Sequence, residues 1–170
     1  MAQFPPALDY VLNWEDPDRL YVINEDNKGM VISGVNSLAW PAEFEAIAAL
    51  PVNQRAPAVA AFYQTHFWDP MQVGLLIFQD LASRVLDHGV NRGPEMGVIV
   101  LQKSLNLLHP GSVRVDGVLG PLTAQAVNEG DEEALLAAYR TEREADYREV
   151  VFSNPTDEPD LAGWLNRARA

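Results

Sequence analysis

Apolar residues recur at three- and four-residue spacings through most of the chain, the period of helices laid on a shared core. Leu8, Val11 and Leu12 fall on one side of a predicted helix over residues 6–14, which Pro5-Pro6 opens and Asp16-Pro17 stops. Residues 41–50 predict a short helix with proline in its first turn. Residues 55–67 carry Val59, Phe62, Tyr63, His66 and Phe67 on helical spacing, and residues 71–87 carry Leu75, Phe78, Leu81, Val85 and Leu86. Val98, Leu101, Leu105 and Leu108 form a clean stripe over residues 94–108. Further helices are predicted at 122–127, 132–151 and 161–169.

One stretch breaks this rhythm. Within residues 19–35, Tyr21-Val22-Ile23 and Met30-Val31-Ile32 are short β-prone runs joined by turn-forming residues 24–29. They predict a small β-hairpin or an irregular loop pair. His109-Pro110-Gly111 and Asp116-Gly117 read as turns, and Gly120-Pro121 as a helix start. The expected fold class is therefore mainly α, with an internal subdivision near residue 90 and no flexible linker.

Composition narrows the function classes. The chain of 170 residues is 48% apolar and 21% charged, enough to bury a core. It has no cysteine, which excludes disulfides, thiolate nucleophiles and thiolate metal sites. A formal net charge of -12 opposes broad contact with a phosphate backbone, so no nucleic acid partner is expected. The opening MAQFPPALDYVLNWEDPD lacks a basic segment followed by a long apolar one, so synthesis in the cytoplasm without a signal peptide is expected. No run is long enough to span a bilayer, and no membrane insertion is expected.

Candidate chemistry reduces to carboxylates. His66, His88 and His109 do not make a metal-ligand pattern, and the nucleophile elbow, phosphate loop and dinucleotide fingerprint are missing, so neither metal nor cofactor is expected. Glu15 closes the first helix beside Trp14 and precedes the 19–35 region. Apolar neighbours there would favour the protonated carboxyl that a general acid needs. Asp16, Asp18, Glu25 and Asp26 are the nearby choices for a second carboxylate, the usual partner in glycoside hydrolysis. The plainer reading is an acidic helix stop on the surface.

Several segments, in order along nearly the whole chain, resemble the phage and bacterial N-acetylmuramidases of glycoside hydrolase family 108, with their C-terminal peptidoglycan-binding-like region. The family's helix ending in Glu-Gly-Gly, followed by Tyr-Val and an Asp-Pro-Gly-Gly-x-Thr-x-x-Gly-Ile stretch, is similar to Val11-Leu12-Asn13-Trp14-Glu15, Tyr21-Val22, and the run from Asp26 through Gly29 and Val31 to Gly34-Val35. Tyr63-Gln64-Thr65-His66-Phe67-Trp68-Asp69-Pro70 resembles its Tyr-x-x-x-Tyr-Trp-Asp-Pro, and the segment from Asp87 to Gly93 its Asp-x-x-x-Asn-x-Gly. Leu101-Gln102 with Leu105, the run Val115-Asp116-Gly117-Val118-Leu119-Gly120-Pro121-Leu122-Thr123, and Gly163-Trp164-Leu165-Asn166-Arg167 resemble motifs of its second half.

The resemblance implies a lysozyme-like region over residues 1–90 and a helical peptidoglycan-binding-like region over 91–170, packed as one compact unit. It implies hydrolysis of the β-1,4 bond after N-acetylmuramic acid, with Glu15 as general acid. Asp26 ranks first as second carboxylate because it matches the family's Asp before the glycine pair, and Asp18 ranks next. Tyr21, Trp68, Asn91 and Gln102 become cleft or support residues. The implied partner is bacterial peptidoglycan, reached through a holin-made pore or a secretion apparatus, with action in the periplasm or cell wall. Three departures fall beside the acid: Asp16-Pro17 replaces the two glycines, Lys28-Gly29 the glycine pair, and Val31 the threonine. They keep a second reading open, a catalytically silent protein that binds peptidoglycan or serves a phage or secretion assembly.

Overall fold

Helix α1 (Phe4–Glu15) forms where expected: proline fills its first turn, and Ala7, Leu8, Val11 and Leu12 bury one face. The computed structural model describes residues 1–26 and 29–170, the side chain of Asp26 excepted. After α1 comes a three-stranded antiparallel sheet, β1 (Asn24–Asp26), β2 (Gly29–Ile32) and β3 (Val35–Asn36), in the order β1-β2-β3. Asn24 pairs with Val31, and Ile32 with Val35, leaving Ser33-Gly34 as a two-residue turn. Both turn residues have positive φ, 46° and 85°, as a type I′ hairpin requires.

The first strand lies three residues later than Tyr21-Val22-Ile23 suggests. Asp16 accounts for the shift: its carboxylate accepts the Leu20 amide at 3.0 Å and the Tyr21 amide at 2.8 Å, winding the chain back on the helix end. Tyr21 then takes φ 52°, outside extended space. Arg55 fixes the same loop by donating to the Tyr21 carbonyl at 2.9 Å.

The rest is helical: α2 (Pro41–Ala48), α3 (Val52–Tyr63) running into a π-turn at Gln64–Trp68, a single turn α4 (Asp69–Met71), α5 (Gln79–Arg92), α6 (Pro94–Leu108), α7 (Pro121–Asn128), α8 (Glu132–Ser153) and α9 (Glu158–Arg169). The helix expected over 71–87 is broken at its start. Gln72 adopts a left-handed conformation and Leu76 an extended one, so that Val73 and Leu76 can both reach the core before α5 begins at Gln79. One apolar core runs from α1 and the sheet through α5 and α6 to Leu135 and Tyr139 of α8. Among the described residues no helix is long and apolar enough to cross a membrane.

Helices α5 and α6 approach closely at Gly89 and Gly97. A Cβ on Gly97 would lie 2.8 Å from the Val85 carbonyl oxygen and 2.9 Å from the Gly89 amide nitrogen. Backbone cannot yield as a side-chain tip can, so Gly97→Ala is expected to push the helices apart. The expected cost is about 1–3 kcal/mol, in spite of alanine's better helix propensity. Urea unfolding would measure it, and an unchanged midpoint would contradict it.

A buried polar group joins α5 to α8 behind this contact. His88, fully buried, places Nε2 3.2 Å from Asp146 Oδ2, and Arg92 Nε donates to the same oxygen at 2.8 Å. Burial opposes the charge on Asp146, but His88 and Arg92 outweigh it and lower the carboxyl from 3.8 to about 2. Burial also lowers His88 from 6.5, with Arg143 adding to the effect and Asp146 and Asp87 opposing it. Asp146 therefore contributes stability that is complete above about pH 4 and lost as pH falls toward about 2. His88, its pKa lowered in the fold, contributes the same sign, because the unfolded chain takes up its proton first as pH falls below 6.5. Unfolding free energy is expected to rise with pH across the acid range, with Asp146 responsible for on the order of 2 kcal/mol. Asp146→Asn should flatten that dependence in denaturation curves taken from pH 2 to pH 7; an unaltered slope below pH 4 would assign it elsewhere.

Candidate functional site

Glu15 stands in the last turn of α1, its side chain 22% exposed. The neighbour on Oε1 is Arg167 of α9, whose Nη2 lies 2.8 Å away; the expectation of an apolar surround gives way to an ion pair. Trp14 contributes on the arginine's side, its ring 5.8 Å from the guanidinium carbon. On the other side stands the β2–β3 turn. A Cβ on Gly34 would lie 3.0 Å from Glu15 Oε2 and nearer still to the Tyr63 hydroxyl, so only glycine lets the turn approach this closely. Tyr63 donates to the Ser33 carbonyl at 2.8 Å. Complete burial and the Glu15 charge push its phenol well above the usual range, so it serves as a fixed donor rather than a base.

Asp16 holds the other side of the same turn. Besides the two loop amides, it accepts the Ser33 hydroxyl at 2.6 Å, joining the helix end to the hairpin turn. Desolvation raises its pKa, but the bonds from Ser33, Tyr21 and Leu20 prevail and the net shift is downward. Arg19 completes the cap, donating to the Asp16 carbonyl at 2.7 Å and to Asn13 Oδ1 at 2.8 Å.

Behind Arg167 lies a second carboxylate. Asp87 of α5 is fully buried and accepts from Arg167 Nη2 at 2.7 Å and Nε at 3.1 Å, while Arg143 Nη2 of α8 reaches its other oxygen at 2.8 Å. Burial disfavours both guanidinium charges; Asp87 overrides it and raises both arginines above their ordinary value. Glu15, Arg167, Asp87 and Arg143 thus form one chain of alternating charge across α1, α9, α5 and α8.

The remaining predicted residues are dispersed. Asp18 is exposed in the turn after α1. Asp26 pairs through its backbone with Gly29, and its side chain, like Asn27 and Lys28, lies outside the described residues. Tyr21 is half-buried against the core. Trp68 is buried against Phe4, 5.6 Å between ring centres, at the far end of α1 and so about 16 Å from Glu15 along the helix. Asn91 is exposed near the end of α5. Gln102 is fully buried: its amide oxygen accepts the Asp116 and Gly117 amides at 2.9 Å each, and its nitrogen donates to Asp116 Oδ1 and the Val118 carbonyl, which fixes the Asp-Gly turn. No group of three or more metal-ligating side chains occurs among the described residues.

Arg167, Asp87, Tyr63 and Gly34 were absent from the candidates read from sequence. Asp87 did leave a trace, a carboxylate in the fully buried run Leu81 to Gly89 that has to find a cation. Its partners stand 56 and 80 residues further along.

Apart from Glu15, a concavity of about 470 Å³ opens between the end of α6, α7 and the start of α8. Leu105, Leu108, Ala126 and Leu135 line it, with Glu129 and Asp131 at its edge.

Residues 96–169 match the family described as "Predicted Peptidoglycan domain". The match supports association with peptidoglycan and covers α6 to α9, hence Arg167 and the 470 Å³ concavity. Comparison with curated proteins gives no significant match. Among solved structures, SagA of Brucella abortus is similar in fold, with a TM-score of 0.65 and 20% identity over 97% of this chain and 92% of that one.

Proposed function

We propose that the protein hydrolyses the β-1,4 bond after N-acetylmuramic acid in peptidoglycan, with Glu15 as the general acid. The observation that carries this reading is a partly exposed carboxylate at a helix end, held on one oxygen by an arginine of the peptidoglycan-type region and backed on the other by the hairpin turn. Glu15 takes up a proton on Oε2 as bound sugar displaces water and passes it to the glycosidic oxygen as the C1–O bond breaks, and Arg167 on Oε1 holds the carboxylate that this leaves. A water molecule then adds to the sugar carbon, oriented by Asp26 or Asp18, and its released proton restores the acid. Glycosidase membership of family 108 and delivery by a holin pore or secretion apparatus belong to the same proposal.

The test is mass spectrometry of purified sacculi digested with wild type and with Glu15→Gln. Expected from the wild type are fragments ending in reducing N-acetylmuramic acid, reduced to background by the variant. Indistinguishable, near-background digests would remove the hydrolytic reading. One observation favours a silent binder instead: the matched region holds the 470 Å³ concavity, well apart in the chain from Glu15. Retention on sacculi without new reducing ends would establish that alternative.

A further inference from the structure

Arg167 does not stand at Glu15 by itself. Its Nη2 is shared between Glu15 Oε1 at 2.8 Å and Asp87 Oδ1 at 2.7 Å, and its Nε also faces Asp87. A long side chain near the end of a terminal helix has many rotamers; a buried carboxylate that accepts from both Nε and Nη2, along one edge of the planar guanidinium, selects among them. Arg143 holds Asp87 Oδ2 from α8, so the anchor is itself fixed. Tyr147 of α8 stacks on Trp164 of α9, ring centres 5.5 Å apart and planes 26° apart, which seats the helix that carries Arg167.

We propose that Asp87 is a positioning residue for the Glu15 site: it locks the Arg167 guanidinium against Glu15 Oε1, which leaves Oε2, beside the Gly34 turn, as the oxygen that handles the proton. The proposal rests on the hydrolytic reading above. Asp87 touches neither substrate nor reacting atoms; it acts through Arg167, and makes α9 a working part of a site whose acid is on α1.

The test uses the full chain and three readouts: folded content by circular dichroism, kcat and KM on soluble muropeptide oligomers, and the indole N–H resonance of Trp14. Asp87→Asn is expected to lower kcat about ten- to a hundredfold at nearly constant KM, the scale of a misplaced catalytic group. Arg167→Met should lose as much, Arg167→Lys should recover part of it, and adding Asp87→Asn to Arg167→Met should cost little more, because one path is already cut. Trp14's resonance should move in Asp87→Asn while that of Trp40, packed on Phe62 and Phe67, stays. Multiplicative losses in the double variant, or an unmoved Trp14 resonance in a folded Asp87→Asn, would overturn the proposal. Asp87→Glu, which keeps the charge and displaces it by one methylene, replaces Asp87→Asn if the latter does not fold. A wild type without turnover sinks the hydrolytic reading and with it any bearing of Asp87 on catalysis; the Trp14 resonance then reports the Asp87–Arg167 coupling by itself.

Discussion

Glu15→Gln is expected to lower the release of muropeptides from sacculi by about 10²–10⁴-fold, the contribution of a positioned general acid. The variant is well suited to separate chemistry from structure. The amide oxygen of glutamine still accepts from Arg167, whose guanidinium stays on Asp87, and the side-chain volume is unchanged. What is lost is the proton on Oε2. Thermal unfolding should shift little, since the Glu15–Arg167 pair is partly open to water. Sacculus binding should also persist, because the matched region from 96 to 169 is untouched. A variant that folds, binds sacculi and cleaves them at the wild-type rate would exclude Glu15 as the acid.

The departures beside Glu15 bear on this expectation through what Asp16 does. Two glycines after a catalytic glutamate would give a backbone free to turn; Asp16 reaches a turn by other means. It gathers the Leu20 and Tyr21 amides and the Ser33 hydroxyl onto one carboxylate, and Arg19 covers the end of α1. The loop is thereby held by side-chain bonds to Asp16, which leave Glu15 to Arg167. Gly34, the glycine that does touch Glu15, remains, as does Gly29 at the start of β2. Asp16-Pro17 thus changes how the helix end is closed and leaves the Oε2 face bordered by Gly34.

Helices were legible where an apolar stripe and a proline start coincide, as in α1 and α6, because local periodicity and burial agree there. The 19–35 region was legible as β structure but not in register. Tyr21-Val22-Ile23 has β propensity, yet a carboxylate five residues back from Tyr21 recruits the amides that a strand would have used. The break at Gln72 was likewise hidden, since Met71 to Leu76 keeps helical spacing while tertiary packing asks it to turn. For the proposed site, Glu15 is the candidate that motif order picks, and the structure sets it at the end of α1 against Arg167. Arg167 could not be paired with it: nothing local tells a terminal arginine that its partners are 152 and 80 positions away, numbers fixed only by how α9 returns across α1 and α5. Gln102 shows the opposite case, a motif residue whose side chain the Asp-Gly turn fully occupies, and Trp68 packs on Phe4 at the far end of α1.

Asp87→Ala is expected to be the most damaging single truncation for stability, at about 3–5 kcal/mol. Asp87 is buried to 0% exposure, and so is the Arg143 side chain that pairs with it. Removing the carboxylate leaves Arg143 without a counter-charge in the core and Arg167 with Glu15 alone, and neither can shed its charge, because an arginine's pKa lies far above any working pH. Arg167 can swing toward Glu15 and water; Arg143 has no such exit. Unfolding midpoints should fall by about 10 °C in a chain of this size. Two comparisons separate this mechanism from a generic cavity. Joint replacement of Asp87, Arg143 and Arg167 by apolar residues of similar volume should recover much of the loss, since the stranded charges go with their partner. Arg169→Ala, which breaks only the exposed pair with Glu144, should leave the midpoint within experimental scatter. A loss below about 1 kcal/mol for Asp87→Ala in urea titration would mean that Arg143 finds another anion, and that the charge chain from Glu15 to α8 is not what ties these four helices together.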